Sequence, residues 1–63
     1  MTKYITTAAT DFEDREGVIT TRKAGVHVYG HPDDMVNGKM IVEFVDEVAA
    51  IPMNHLILVD SNA

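Results

Sequence analysis

The residues best suited to chemistry are two histidines and two aspartates that lie close together in the sequence. They are His27, His31, Asp33 and Asp34. Imidazole nitrogens and carboxylate oxygens are ligands that divalent metals accept in proteins. In the strand and loop predicted below, however, His27 lies on a strand face and the other three lie beyond Gly30, so the spacing does not direct them to one point. We therefore predict no metal site and no cofactor.

Catalytic arrangements are no better indicated. General acid–base catalysis would pair His27 or His55 with a carboxylate such as Asp33 or Glu43, but no spacing singles out one pair. Nucleophilic catalysis needs an activated side chain, and the chain has no cysteine and only one serine, Ser61. It also has no glycine-rich phosphate loop. We predict that the protein is not an enzyme and has no catalytic residue.

Acidic residues outnumber basic ones. Ten Asp and Glu stand against five Lys and Arg, which gives a formal net charge of −5 and a pI near 4.8. Nucleic-acid binding requires a basic face that displaces counterions, so we predict no direct nucleic-acid binding. The predicted acidic surface comprises Asp11, Glu13, Asp14, Glu16, Asp33, Asp34, Asp46 and Glu47. Its simplest role is solubility, and the alternative is mimicry of nucleic acid toward a basic site.

A patch for binding a protein partner is predicted from four side chains. They are His27, Tyr29, Met35 and Met53. Aromatic and Met side chains are enriched in protein interfaces, and the flexible thioether adapts to irregular surfaces. A chain of 63 residues buries only a small core, so association with a partner, or with a second copy, is expected to complete it.

The stretch from Gly38 to Pro52 decides the fold class. With a helical period, its apolar residues occupy one side and its charged residues the other, and Pro52 would end the helix. As two strands, it turns at Asp46-Glu47, and its β-branched and aromatic residues favour that conformation. Asn37-Gly38, just before it, is a strong hairpin signal. The residues favour strands and leave open an α+β fold with a helix at about residues 38–50.

The rest of the chain divides into short elements. Residues 1–17 are predicted to be an N-terminal arm or extra strand, and residues 18–63 the folded domain. Within the domain, residues 18–22, 26–29 and 56–59 are predicted to be strands, residues 30–34 a loop and residues 53–56 a turn, with a polar tail at residues 60–63. If Val26 and Val28 face the core, His27 and Tyr29 face outward.

One sequence pattern resembles a known family. The run Gly38-Lys39-x-x-Val42-Glu43-Phe44-x-Asp46-x-Val48-Ala49-x-Ile51-Pro52-x-x-x-Leu56-x-Leu58-Val59 is similar to the second half of SH3-like (KOW-type) small β-barrels. There, two central strands are followed by a hydrophobic residue and proline, a 3₁₀ turn and a closing strand. Residues 24–30 resemble the first barrel strand. The resemblance covers roughly residues 24–60 and implies an all-β, SH3-like barrel of about five strands.

Fold and composition together lead to a functional prediction. A small barrel implies a fold more than an activity. We predict a non-enzymatic protein-binding accessory or structural module, such as a virus-encoded subunit or inhibitor that docks on a larger assembly. The alternatives are the nucleic-acid mimic and, because some SH3-like barrels form an active pore as oligomers, a subunit of an oligomeric enzyme. No apolar run approaches the roughly 20 residues that span a bilayer, so we expect no membrane contact and a location in the cytoplasm or in a virus particle.

Overall fold

The computed structural model describes residues 1–59, which form one antiparallel sheet. Its strands are β1 (Thr2–Thr6), β2 (Thr10–Glu13), β3 (Ile19–Arg22), β4 (His27–Val36), β5 (Lys39–Phe44), β6 (Glu47–Pro52) and β7 (Leu56–Leu58), with a 3₁₀ helix, Met53–His55, before β7. The strand order is β3-β2-β6-β5-β4-β1-β7, so β3 and β7 are the edges. The sheet curls into a half-barrel.

The all-β prediction is confirmed, with seven strands in place of about five. The alternative of a helix at residues 38–50 is wrong, because these residues form the β5–β6 hairpin. Residues 1–17 supply β1 and β2, and β1 lies between β4 and β7. The 3₁₀ helix and β7 match the predicted turn and last strand. The predicted tail at residues 60–63 lies outside the described residues.

The core lies on the concave face of the sheet, which we call the inner face. Alternate residues of each strand point there, and its buried apolar side chains are Tyr4, Phe12, Val28, Met40, Val42, Ala49 and Ile51. Among them, Phe12, Met40 and Ile51 are at most 1% exposed. Burial of such a side chain contributes roughly 1.5–3 kcal/mol. Because side chains alternate along the regular parts of the strands, the residues between these positions form an outer face.

A polar side chain, Thr6, is also buried, at 2% exposure. Its Oγ1 accepts a hydrogen bond from the Val26 backbone N–H at 3.0 Å. Its own backbone N–H donates to the Val26 carbonyl at 2.9 Å, and its carbonyl accepts from the Gly25 N–H at 2.8 Å. Thr6 therefore ties the connection between β3 and β4 to β1.

The two tight hairpin turns differ in their sequence chemistry. Asn37 and Gly38 have φ of 53° and 78°, the positive values that a type I′ turn requires, which confirms the predicted Asn-Gly hairpin. The β5–β6 turn is at Val45-Asp46, so the predicted Asp46-Glu47 turn is wrong. Val45 has φ of 54°, which crowds a β-branched side chain. The observed register instead pairs Glu47 with Phe44 on the inner face.

Thr6→Val should destabilise the protein although it keeps the shape of the side chain. The substitution leaves the partly buried Val26 N–H without its hydroxyl acceptor, which costs about 1–3 kcal/mol. Thr6→Ser keeps the oxygen and should lose only the methyl contribution of about 1 kcal/mol. Urea unfolding would measure both. A Thr6→Val variant as stable as the wild type would show that this hydrogen bond is dispensable.

Val45→Asn should stabilise the protein by about 1 kcal/mol, because Asn adopts the left-handed region at lower cost than a β-branched residue. Val36 is a matched control: it is also an exposed valine beside a hairpin turn, but its φ is not positive. Val36→Asn should be slightly destabilising, since Asn is disfavoured in strands. Thermal unfolding would compare the two variants, and equal effects would argue against strain at Val45.

Candidate functional site

The candidate site is a group of apolar side chains at the centre of the outer face. Tyr29 on β4, Ile41 on β5 and Val48 on β6 are 44%, 42% and 45% exposed. Glu43 links them, because it is in register with Tyr29 on one side and with Val48 on the other. Ile41 lies two residues from Glu43 and therefore on the same face. Three neighbouring strands thus present apolar side chains around the Glu43 carboxylate, and we call these three residues the outer patch (Tyr29, Ile41 and Val48).

The outer patch forms the floor of a shallow depression of about 350 Å³. Its remaining lining consists of Met1, Gly30, His31, Asp34 and Glu43. Two carboxylates contribute to this lining, Asp34 from β4 and Glu43 from its position between Tyr29 and Val48. Protein interfaces combine apolar area with polar groups in the same way.

A bulge in β4 brings part of this lining into place. Gly30 is in register with Val42 and Met35 with Met40, so the four residues from His31 to Asp34 lie opposite the single residue Ile41. The loop predicted at residues 30–34 is therefore wrong, since this segment continues β4 in an irregular form. A bulge redirects side chains locally, and here it carries His31 and Asp34 to the edge of the depression.

Gly30 allows β4 and β5 to approach each other beside this bulge. A Cβ at Gly30 would lie 2.8 Å from Met40 Sδ, 3.1 Å from Val42 Cγ1 and 3.2 Å from the Ile41 carbonyl oxygen. A larger residue would therefore displace the Met40 side chain from its place in the core and crowd the Ile41 carbonyl.

The four residues of the predicted partner patch occupy different places. His27 and Tyr29 are exposed on the outer face, as expected from the burial of Val28. Tyr29 lines the depression, whereas His27 lies opposite Ile5 on β1. Met35 pairs with the core residue Met40 and so follows the inner face beyond the bulge. Met53 is exposed on the 3₁₀ helix.

Sequence reasoning missed Ile41 and Val48 as surface residues. The sequence does contain a pattern that indicates this position, because alternation from Met40 and Val42 places Ile41 on the opposite face. That pattern could be interpreted only after residues 38–50 had been assigned to strands and not to a helix. In the helical interpretation, Ile41 and Val48 belong to the buried side.

The predicted acidic residues fall into two groups and one separate residue, Asp11. Glu13, Asp14, Asp46 and Glu47 gather at one end of the sheet around a second depression of about 190 Å³, together with Glu43, which was not predicted. Glu16 lies beside them with Asp14 and Asp46. Asp11, on β2, accepts a hydrogen bond from the Thr21 hydroxyl, and Asp33 and Asp34 lie on the bulge. Among residues 1–59, no three His, Asp or Glu side chains are placed to hold a metal ion.

Basic side chains neutralise part of the acidic end. Arg22 donates from Nε and Nη2 to the two carboxylate oxygens of Glu47, each at 2.9 Å. Its Cζ lies 4.8 Å from the ring centroid of Phe44, and the Phe44 and Phe12 centroids are 5.8 Å apart. Arg15 and Asp46 approach to 3.8 Å with both side chains largely exposed, so they contribute little.

The bidentate bond shifts the titration of both of its partners. The hydrogen bond from Arg22 lowers the pKa of Glu47, against an opposing effect of desolvation and the nearby Asp14 charge. The same hydrogen bond raises the pKa of Arg22. Both shifts favour the charged forms, so the pair is an ion pair at neutral pH.

Glu47→Gln should destabilise the protein at neutral pH and weaken its response to acid. Because the folded-state pKa of Glu47 is lowered, its contribution to stability is fully present above the ordinary Glu value of 4.5 and is lost as the pH falls through the lowered value. Asp46→Asn is the matched control, since it removes a carboxylate from the same turn without a tight partner. Urea unfolding over a pH series would measure both, and identical profiles would contradict the assignment.

Among residues 1–59, no helix has both the length and the apolar character needed to cross a bilayer.

Comparison with known proteins identified no relative of this chain. The resemblance to SH3-like barrels stays a prediction from the residues that carry it. No protein-family model matches the chain, and no curated protein or solved structure matches it.

Proposed function

We propose that the protein is a non-enzymatic protein-binding module, an accessory or structural subunit that docks on a larger assembly through its outer patch. The observation that carries this proposal is the exposure of Tyr29, Ile41 and Val48 around Glu43 on three central strands. Exposed apolar side chains gathered at one place on a surface are typical of an interaction site. They project from hydrogen-bonded strands, so docking would order few additional backbone groups.

Two carboxylates suggest the chemistry of the partner. Glu43 lies at the centre of the outer patch, and Asp34 contributes to the same depression. A complementary surface would present apolar side chains together with Lys or Arg side chains opposite these carboxylates. We therefore propose a protein partner whose surface combines apolar and basic side chains. The proposal extends to an SH3-like relationship, to a virus-encoded origin, and to a cytoplasmic or virus-particle setting, which suits a chain without cysteine.

A second candidate function is mimicry of nucleic acid by the acidic end. The observation that favours it is the gathering of five carboxylates around the second depression. Two of these carboxylates, on Asp46 and Glu47, face Arg15 and Arg22. The surface therefore carries less negative charge than the sequence suggests, and the outer patch supports the first proposal more strongly.

Site-specific photo-crosslinking in cells of the source organism tests the proposal. A photoreactive amino acid in place of Ile41 should join the protein to one predominant partner. The same amino acid in place of Ala9, an exposed residue outside the depression, should not. Adducts of equal yield at both positions, or none at Ile41, would contradict docking through the outer patch.

Competition in the cell extract then sharpens the result. Added wild-type protein should suppress the Ile41 adduct, Ala9→Glu should suppress it equally, and Ile41→Glu should need about tenfold more protein, the loss expected for a central interface residue. The adduct should persist at high salt. An adduct that disappears with rising ionic strength would instead support the acidic mimic, because salt screens exposed charges.

A further inference from the structure

The edge strand β3 presents unpaired backbone groups in a regular row. Within the described residues it pairs only with β2. The Asp14 N–H donates to the Val18 carbonyl at 3.1 Å, so the alternation of an antiparallel ladder makes Phe12–Thr20 the next hydrogen-bonded pair. The N–H and C=O groups of Ile19 and Thr21 therefore point away from β2. Four backbone groups face the free edge.

The side chains of β3 leave this edge accessible. Val18, Ile19, Thr20 and Thr21 are β-branched and exposed, and the register with β2 contains no bulge or proline. Edge strands are usually protected by such features or by charged side chains. The one charge within β3, Arg22, is held by Glu47 across the inner face. It is therefore not available to repel a second strand.

The other edge, β7, is less suited to pairing. It has only three residues, Leu56–Leu58. One of its N–H groups, that of Leu56, already donates to the Met53 carbonyl. The β3 edge is longer and offers complete donor and acceptor pairs.

We propose that β3 pairs antiparallel with β3 of a second copy, around a two-fold axis at Thr20. Ile19 then lies opposite the partner's Thr21, and Thr21 opposite the partner's Ile19. The two pairs exchange four N–H···O=C bonds, and the sheets of both copies become one. At the axis, Thr20 lies opposite the partner's Thr20 in the closely spaced type of pair, where two threonines interact favourably.

Charge complementarity identifies the occupant as a second copy in this orientation. Glu16 precedes the strand and Lys23 follows it, and neither has an ion-pair partner among the described residues. Pairing around Thr20 brings Lys23, which directly follows the strand, to the partner's β2–β3 turn, which contains Glu16. The symmetric contact forms at the other end. Parallel pairing would place like charges together. This surface is separate from the outer patch, so the proposal goes beyond the proposed function.

Proline substitution on the free edge tests the pairing. The Thr21 N–H makes no bond within the sheet, so Thr21→Pro removes a donor of the dimer and no donor of the fold. Thr21→Val is the matched control, because both variants lose the hydroxyl bond to Asp11 but Val keeps the N–H. Light scattering over a dilution series should show a dimer for wild type and Thr21→Val. Thr21→Pro should require at least tenfold higher concentration to dimerise.

Cysteine crosslinking tests the register without depending on the proline variant. The chain has no cysteine, so each variant carries one thiol. Thr20→Cys places two thiols opposite each other at the axis and should form a disulfide dimer at least tenfold faster than Thr21→Cys or Ile57→Cys. Equal rates at the three positions would overturn the proposal. The proposal would also be overturned if the wild-type protein were a monomer at every concentration. It would likewise be overturned if the Thr21→Pro variant folded and still dimerised like the wild type.

The experiment also separates this dimer from the outer patch. Ile41→Glu should leave the dimer unchanged, because Ile41 is on β5 and remote in strand order from β3. Loss of the dimer in that variant would show that the outer patch, and not the β3 edge, binds the second copy.

Discussion

The junction between β2 and β6 is held largely by side chains, because a single residue pair, Glu13 with Val48, is in register there. Across this junction, Phe12 contributes its ring to the core beside Phe44, and Arg22 reaches from β3 to Glu47. The guanidinium also stacks on the Phe44 ring. Without these contacts, the β2–β3 hairpin would be joined to the other strands by little more than its connections. One cluster of aromatic rings and one ion pair therefore stabilise the curled sheet at this junction.

This cluster accounts for features that look unfavourable in isolation. Glu47 can reach Arg22 because the β5–β6 turn occurs at Val45-Asp46 and puts Glu47 opposite Phe44 on the inner face. That register requires the positive φ of Val45, which costs roughly 1–2 kcal/mol for a residue other than glycine. A turn at Asp46-Glu47 would spare the β-branched Val45 but remove Glu47 from the paired strand. Here the contact between Glu47 and Arg22 across the sheet outweighs the local preference of the turn residues.

Much of the architecture could be predicted from the sequence. Asn37-Gly38 indicates a type I′ turn because both residues tolerate positive φ, and the observed angles agree. The inward position of Val28 follows from alternation once a strand is assumed. These features depend on neighbouring residues alone. They are the features for which sequence patterns carry direct physical information.

Other features depend on contacts that a sequence does not display. The sequence from His31 to Asp34 predicts a loop, because Pro32 and two aspartates are typical of turns. In the structure, the pairing of Met35 with Met40 extends the strand beyond this bulge. The outer patch required the choice of strands for residues 38–50 before Ile41 and Val48 could be assigned to a surface. The acidic end was recognisable by composition, but its partial neutralisation was not. Arg22 and Glu47 are far apart in the chain and meet only through the curl of the sheet.

The same alternation that builds the core creates both proposed interaction surfaces. In a two-layer protein, the outer sides of the central strands would be covered by a second layer. In the described part of this chain, the apolar residues that alternate with the core stay exposed on the outer face. Within residues 1–59, the sheet also ends in two edge strands that are each paired on one side only, because a half-barrel does not close its edges as a full barrel does. A face and an edge offer different chemistry, side chains in one case and backbone groups in the other. A small domain can therefore bind a foreign protein on its face while pairing with its own copy at its edge. The Arg22–Glu47 bond supports both surfaces, because it stabilises the curl of the sheet and keeps the guanidinium away from the free edge of β3.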